Sequence, residues 1–285
     1  MILSMTGFGK ASLQLSGKKI TVEVKSLNSK GLDLNVRIPA PYREMELTLR
    51  NRIAALLERG KVDFSIYSES TSDESSSKIN TGMITGYMNQ LRELAKATDA
   101  ELLQMAIRMP DVFKTEREEM NEEEWKQIIP VIDEALQNIV TFRKNEGAVL
   151  EKEFIVRIEN IRKFMNEAIT LDPERIALIK EKLQTAITEL KANVDENRFE
   201  QELIYYLEKL DITEEKVRLN NHLNYFLETL QGNEANGRKL GFICQEIGRE
   251  INTMGSKSNH AGMQKLVVQM KDELEKIKEQ VLNVL

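Results

Sequence analysis

The chain has 285 residues, of which 41% are hydrophobic and 30% charged, the balance of a folded globular protein. A formal net charge of −6 argues against a protein coated with basic residues for indiscriminate nucleic-acid binding, although it permits a local basic surface. Because no apolar stretch approaches the roughly 20 residues that cross a bilayer, and no secretory signal pattern is visible, we expect a cytoplasmic protein without a membrane partner. The single cysteine, Cys244, is expected to be a buried, unreactive thiol.

Residues 1–70 carry the alternating apolar pattern of strands. Segments 11–16, 19–27 and 32–39, joined by short turns that contain Gly17 and Gly31, predict an antiparallel meander. Pro41 starts a helix that runs to about Leu57, and residues 62–66 alternate again as a further strand. The predicted fold class is therefore α+β, with an N-terminal antiparallel β-sheet and helix as the first domain.

Helical spacing replaces strand alternation after the serine-rich segment 70–78, which we interpret as a surface loop or linker. The sequence predicts helices at 81–96 and 100–108, then a long helical hairpin from Asn121 to about residue 192, with a turn near Asp172. Further helices are predicted at 197–209, 213–231, 238–254 and 262–284. We therefore expect a helical domain with long antiparallel arms at 71–200 and an all-α C-terminal domain at 201–285. The arms indicate packing or an oligomer interface rather than a site for an organic cofactor.

Two of the C-terminal helices combine a packed face with a mixed polar face. On the first, Asp211, Glu215, Arg218 and His222 follow helical spacing. On the second, Glu246 and Glu250 lie on one row, and the row beside it holds Gln245, Arg249, Asn252 and Ser256.

Such faces suit phosphodiester chemistry, because carboxylates and an imidazole can hold a divalent cation while arginines hold phosphates. They also suit a purely structural network, in which Glu214 with Arg218 and Glu246 with Arg249 are ordinary helical ion pairs. Spacing alone leaves both interpretations open.

The cationic residues at the two ends of the second helix also have both a phosphate-binding and a structural interpretation. Arg238 and Lys239 follow Gly237 at its start, an arrangement that can cradle a phosphate. Lys257 at its end either closes over a phosphate or neutralises the helix C-terminus. His260 follows in a loop and is expected to be exposed to solvent rather than to bind a ligand.

Motifs at both ends of the chain resemble the YicC/YloC family of bacterial endoribonucleases. The N-terminal matches are SMTGFGKA (4–11), VEVKSLNSKGLDLNVRIP (22–39) and RGKV (59–62). The C-terminal matches are DITEE (211–215), RLNNHL (218–223), GRKL (237–240), QE (245–246), REINTMGSK (249–257) and EKIKEQVLN (275–283). Arg143, Glu146 and Gly147 resemble a short R-x-x-E-G element between them.

The resemblance implies a cytoplasmic endoribonuclease that depends on Mn²⁺ or Mg²⁺, binds RNA and assembles as a homo-oligomer, a hexamer. Matched positions that would form the active region are Glu215, Arg218, His222, Arg238, Lys239, Glu246, Arg249, Glu250, Asn252 and Lys257. From their chemistry we assign metal binding to Glu215, His222, Glu246 and Glu250. The catalytic set is Glu246, Glu250, Arg249 and His222. The expected RNA contacts are Arg218, Arg238, Lys239, Asn252 and Lys257, with Lys25, Asn28 and Lys30 lining the path from the N-terminal domain.

Other functions stay open at this point. In a metal-free route, His222 is the general base on a ribose 2′-hydroxyl and Arg249 stabilises the phosphorane. A non-catalytic adaptor would use the same face to present RNA to another nuclease. A purely structural scaffold would bind no RNA.

Overall fold

The computed structural model describes residues 2–70, 77–94, 96–115, 121–189, 196–232 and 237–285. It confirms the α+β class, with a sheet first and helices after it. The strands are β1 Gly7–Leu15, β2 Lys18–Leu27, β3 Leu32–Arg37, β4 Gly60–Ser70, β5 Ser77–Ile79 and β6 Phe113–Thr115. The helices are α1 Glu46–Leu56, α2 Thr81–Leu94, α3 Asp99–Ala106, α4 Glu122–Thr170, α5 Asp172–Glu189, α6 Glu196–Lys209, α7 Thr213–Gln231, α8 Gly237–Lys257 and α9 Ala261–Val281.

The N-terminal sheet is mixed rather than antiparallel throughout. Its strand order within the described residues is β1-β2-β4-β3, and β3 pairs with β4 in parallel. The predicted meander is therefore wrong at β3, although β1, β2 and β4 pair antiparallel as neighbours. The reason is the connection, since a 3₁₀ turn (Ala40–Met45) and α1 carry the chain back before β4 begins, and parallel strands need such a crossover.

Helices α1 and α4 cover one face of this sheet. The buried side chains of β2 and β4, among them Val22 and Phe64, pack against Ile53 of α1 and Ile132 of α4. Gly9 of β1 lies so close to α4 that a Cβ there would overlap the carbonyl oxygen of Ala135. The glycine therefore sets the short distance between helix and strand.

Helix α4 joins the sheet to the C-terminal helices. It begins where the sequence predicts, because the Asn121 side chain accepts hydrogen bonds from the backbone amides of Glu123 and Glu124. Its first part, from Trp125 to Ile139, lies in the core of the sheet. Its second part, from Leu150 to Ala168, lies in the core formed with α7, α8 and α9. One helix thus holds both cores in a fixed relation, and the domain boundaries near 70 and 200 stay predictions.

Arg143 and Gly147 lie on α4 between the two cores. The buried Arg143 donates from Nη2 to the carbonyl oxygens of Met5 and Arg59 and to Ser26 Oγ. A Cβ on Gly147 would overlap the carbonyl oxygen of Ile2. The R-x-x-E-G element therefore binds the N-terminal segment to the long helix.

The two ends of the described chain also pair with each other. Ser4 forms a β-bridge with Val284, and the Met5 amide donates to Asn283 at 2.7 Å. The Leu285 amide donates to Leu3. These bonds place residues 283–285 beside the start of the sheet.

A small unit formed by α2, α3 and a two-stranded ribbon lies between β4 and α4 in the chain. Strands β5 and β6 pair antiparallel, with Ile79 opposite Phe113. The prediction that strands end after the serine-rich segment is therefore wrong. Each of these strands has only three residues, too few for an alternating pattern to show. Of that segment, residues 71–76 lie outside the described residues, whereas 70, 77 and 78 belong to strands.

Most of the remaining helices follow the prediction closely, but α9 ends at Val281, three residues before the predicted end, because Val284 forms the β-bridge with Ser4. Helices α6 and α7 begin and end within one residue of the predicted bounds, and α8 extends three residues further, to Lys257. Helix α5 directly follows α4 after Leu171, and α5 ends at Glu189 in the described part of the chain. None of the helices in the described residues is long and apolar enough to cross a membrane.

Candidate active site

Helices α7 and α8 form an antiparallel hairpin with a contact near each end. Lys257 Nζ at the end of α8 bonds Glu215 Oε1 near the start of α7 at 2.8 Å. At the other end, Lys239 Nζ lies 5.0 Å from the ring centroid of Tyr225. His222, Glu246 and the residues around them lie between these contacts. We give the name α7–α8 face to seven exposed or partly exposed polar side chains of this hairpin: Arg218, His222, Arg238, Lys239, Glu246, Arg249 and Asn252.

The apolar sides of both helices are packed as predicted, with one exception. Leu219 and Leu223 of α7 and Ile243 and Ile247 of α8 are buried in the C-terminal core. Val217, an apolar residue of α7, is exposed instead. The packed side nonetheless fixes which residues of each helix face outward.

On α7, Glu215 and Arg218 have different environments although they are one turn apart. Glu215 is 5% exposed, and its Oε2 has no hydrogen-bond partner in the described part of the chain. Arg218 is exposed and pairs with Glu214 at 2.5 Å, the helical ion pair expected from spacing. His222 is partly buried and lies one turn further along.

On α8, a buried acid lies next to an exposed acid and arginine. Arg249 Nη1 is 4.0 Å from Glu246 Oε2, at the limit of an ion pair, and both side chains are largely exposed. Glu250 is only 5% exposed, yet no hydrogen bond or ion pair engages its carboxylate within the described residues. Asn252 is exposed on the same helix. Arg249 is therefore free to bind an anion, and the carboxylate oxygens of Glu250, which are not among the fully enclosed atoms without a partner in the described residues, remain open to a ligand from solvent.

The ammonium of Lys257 is already hydrogen-bonded within the chain. Besides Glu215, its ammonium donates to the Asp211 carbonyl oxygen at 2.8 Å. The Asp211 carboxylate accepts hydrogen bonds from the hydroxyl and the backbone amide of Thr213. Both bonds lower the pKa of the Asp211 carboxyl, and the hydroxyl bond has the larger effect. Lys257 thus joins the end of α8 to the start of α7, and its contact with RNA stays a prediction.

Arg175 supports the same junction and was missed by the sequence analysis. It is 2% exposed and donates from Nη1 to the carbonyl oxygens of Leu210, which follows α6, and Lys257, which ends α8. Its other nitrogens bond Asp172, which also accepts from Lys216 at 3.4 Å. An arginine three residues after Asp172 was the available signal, but helical spacing explains that pair without a tertiary role.

Residues 284–285 contact the first residue of α8. The Gly237 amide donates to Leu285 at 3.3 Å, and a Cβ on Gly237 would overlap the carbonyl oxygen of Val284. The predicted phosphate cradle therefore lacks that amide, whereas Arg238 and Lys239 remain exposed beside it.

The predicted RNA contacts of the N-terminal domain are dispersed along and after β2. Lys25 is exposed, 3.3 Å from Glu23, and lies over the ring of Phe8. Asn28 Nδ2 donates to the Leu282 carbonyl oxygen at 2.6 Å, so this side chain links the turn after β2 to the end of α9. Lys30 is exposed.

The four predicted metal ligands do not form a dense cluster in this chain. Over the part of the chain that the structure describes, no group of three or more His, Cys, Asp or Glu side chains is placed to hold a metal ion. Glu246 and Glu250, one turn apart on α8, are the acids of the set that no close cation neutralises, since Glu215 is bonded to Lys257.

His260 differs from its prediction, whereas Cys244 agrees with it. His260 caps α9, because its Nδ1 accepts from the Met263 amide at 3.3 Å, and its side chain is only 12% exposed. No sequence signal indicated this role, since histidine is an uncommon cap. Cys244 is fully buried, and burial raises the pKa of its thiol to about 12.

Comparisons with known proteins match the full length of the chain. Residues 2–152 match the family model described as "Endoribonuclease YicC-like, N-terminal region", and residues 168–285 match "Endoribonuclease YicC-like, C-terminal". A protein of Clostridioides difficile (strain 630) named "Probable endoribonuclease YicC" is 32% identical over 100% of both chains. A protein of the same name from Haemophilus influenzae is 28% identical, also over 100% of both chains.

Proposed function

Since the chain belongs to the YicC-like endoribonuclease family, we propose that it is an endoribonuclease that cleaves phosphodiester bonds within RNA at the α7–α8 face. The observation that carries the location is the grouping on α8 of two acids one turn apart, Glu246 and Glu250, with the exposed Arg249, none of them held by a close ion pair within the described residues. Carboxylates in this position can hold a divalent cation while the arginine binds the phosphate.

A divalent cation is part of the proposal. Mg²⁺ is usually held by one or two carboxylates together with water and substrate phosphates, so a cage of protein ligands is not required. Glu246 and Glu250 fit that donor set, because carboxylate oxygens suit both Mg²⁺ and Mn²⁺, and His222 stays the predicted nitrogen ligand. When bound, the ion would lower the pKa of a water molecule and stabilise charge on the departing oxygen.

Cationic side chains of the α7–α8 face would bind the RNA backbone. Arg249 is the best placed, because its one ion pair within the described residues is long and exposed to solvent. Arg218, Arg238 and Lys239 are also exposed and extend the positive surface along the hairpin. Arginine forks bind phosphate in a bidentate manner, which would fix the backbone next to the acids. Asn252 would orient the RNA through a hydrogen bond.

The direct experiment is cleavage of an end-labelled structured RNA by purified protein with EDTA, Mg²⁺ or Mn²⁺. We expect internal cuts that require metal and are lost in Glu246→Gln and Glu250→Gln, which keep the size of each side chain. Glu279→Gln, an exposed acid on α9, is the matched control and should cut normally. Circular dichroism and light scattering would establish that the variants fold and assemble.

The same experiment separates the other mechanisms. Cleavage in EDTA that is blocked by a deoxyribose at the cut position would favour His222 as general base on the 2′-hydroxyl and refute the metal route. RNA bound by the wild type but uncut in every buffer would make the protein an adaptor.

We further propose a homo-oligomeric assembly, a hexamer, which rests on the family resemblance. Light scattering of the purified protein should give the mass of six chains. A stable monomer that cleaves RNA would refute the assembly while leaving the chemistry intact.

A further inference from the structure

Two aromatic side chains on α7 and α8 lie outside the core. Tyr225 is 44% exposed and Phe242 is 60% exposed, whereas their neighbours Phe226 and Ile243 are buried. Single exposed apolar residues are common on protein surfaces. These two, however, lie on the hairpin that carries the candidate catalytic residues.

Charged side chains lie close to both aromatics. Lys239 lies over the Tyr225 ring at 5.0 Å and so brings a positive charge to the aromatic. Phe242 follows Lys239 by three residues and precedes Glu246 by four, so all three lie on one row of α8. The rise of an α-helix puts Phe242 about 6 Å along the axis from Glu246. The aromatics are therefore at one end of the face, with Glu246 and Arg249 next to them.

We propose that Tyr225 and Phe242 form a stacking platform for unpaired bases of RNA, with Lys239 binding the phosphate between them. This proposal rests on the proposed nuclease function and assigns it a substrate class: single-stranded RNA or exposed loops. Every base has a π-face, so such stacking tolerates any sequence. Bases inside an RNA duplex are already stacked on each other and cannot use the platform. The enzyme would therefore select flexible RNA next to its cleavage residues.

The first test measures binding in EDTA, so that binding is read without metal-dependent cleavage. The probes are a fluorescent single-stranded RNA of about 12 nucleotides and a blunt RNA duplex of the same length. We expect Phe242→Leu and Tyr225→Leu each to weaken single-strand binding about tenfold, while Phe242→Tyr and Tyr225→Phe retain it. Phe142→Leu, which removes an exposed aromatic on α4, is the matched control and should bind as the wild type does.

A second readout reports stacking directly. Phe242→Trp places an indole on the platform, and we expect single-stranded RNA to quench its fluorescence while the duplex does not. The native tryptophan, Trp125, is buried in the core of the sheet, so the wild type supplies the background signal.

The outcomes separate this proposal from the nuclease itself. Wild type that binds but never cuts RNA, with the leucine and tryptophan results as expected, would support the platform and refute the nuclease. Normal cleavage with unchanged binding in both leucine variants and no quenching would refute the platform alone. Leucine variants that lose subunits in light scattering while binding RNA normally would make the two aromatics a subunit contact and also overturn the platform.

Discussion

At Glu215 the two carboxylate oxygens have different surroundings. Oε1 accepts from Lys257 at 2.8 Å, whereas Oε2 is buried without a partner in the described chain. A buried acid of this kind depends on its one cation, because breaking a buried pair from one side leaves an uncompensated charge.

Removing the ammonium of Lys257 should therefore destabilise the fold. Lys257→Met keeps most of the apolar stem, and we expect the free energy of unfolding to fall by about 2 kcal/mol. The double variant Glu215→Gln/Lys257→Met also removes the unpaired negative charge of Glu215, so it should recover part of the lost free energy of unfolding. Urea unfolding measures both. Equal midpoints for the wild type and Lys257→Met would mean that the pair does not stabilise the protein.

Cys244 provides a second prediction for a single residue. Because burial raises the pKa of its thiol from 9.0 to about 12, the side chain is both protonated and shielded near neutral pH. We expect a thiol reagent at about pH 8 to leave the folded protein unmodified and to label one thiol per chain in urea. Lys265→Cys, at an exposed position of α9, should react at once in the folded protein. Rapid labelling of the native Cys244 would contradict the burial.

Sequence reasoning about the site succeeded where the helical period decided the matter. The spacing placed Arg218, Glu246 and Arg249 on outward faces and predicted their ion pairs. The spacing could not show that Lys257 bonds Glu215, 42 positions earlier in the sequence, because such a contact depends on how two helices pack. Arg175 was missed for the same reason, since both carbonyl groups that it binds come from distant parts of the chain.

At the scale of secondary structure, the long helices could be predicted because their patterns extend over several turns. The start of α4 was correct because Asn121 is a good N-cap, and α7 was bounded correctly at both ends. The parallel pairing of β3 was not foreseen, although the helix between β3 and β4 was the physical signal for a crossover. Alternation identifies a strand but not its neighbour.

Helix α4 carries a prediction of its own at Gly147. Alanine usually stabilises a helix relative to glycine by about 1 kcal/mol. At Gly147 a Cβ would overlap the Ile2 backbone, so we expect Gly147→Ala to destabilise the protein by about 2 kcal/mol instead. Gly241→Ala on α8 is the matched control, because its nearest neighbour would be Val281 Cγ1 at an ordinary 3.8 Å.

The two glycine variants should therefore shift thermal unfolding in opposite directions. Loss of the N-terminal contact in Gly147→Ala should also speed the hydrogen exchange of the Ser4 amide, which donates to Arg143 at 3.1 Å. A stabilised Gly147→Ala protein with unchanged exchange would show that residues 2–5 are not held against α4 in solution.

Over the whole molecule, net charge and local charge have opposite signs. The chain carries 46 acidic and 40 basic residues, so its average potential repels RNA. The exposed Arg218, Arg238, Lys239 and Arg249 all lie on the α7–α8 face. Binding driven by that face depends on the cations that contact phosphate, whereas binding governed by net charge would respond equally to any lost cation.

Salt titrations distinguish these two cases. With cleavage blocked by EDTA, the affinity for single-stranded RNA should fall steeply between about 50 and 200 mM salt. Arg249→Gln and Lys239→Gln should each reduce the slope of log affinity against log salt by about 0.7, the value for one lost phosphate contact. Lys126→Gln changes the net charge by the same amount on the part of α4 that covers the sheet, and its slope should equal that of the wild type. If all three variants had the same slope, the α7–α8 face would not be the RNA-binding surface; a change confined to Arg249 and Lys239 would place the RNA backbone along this hairpin.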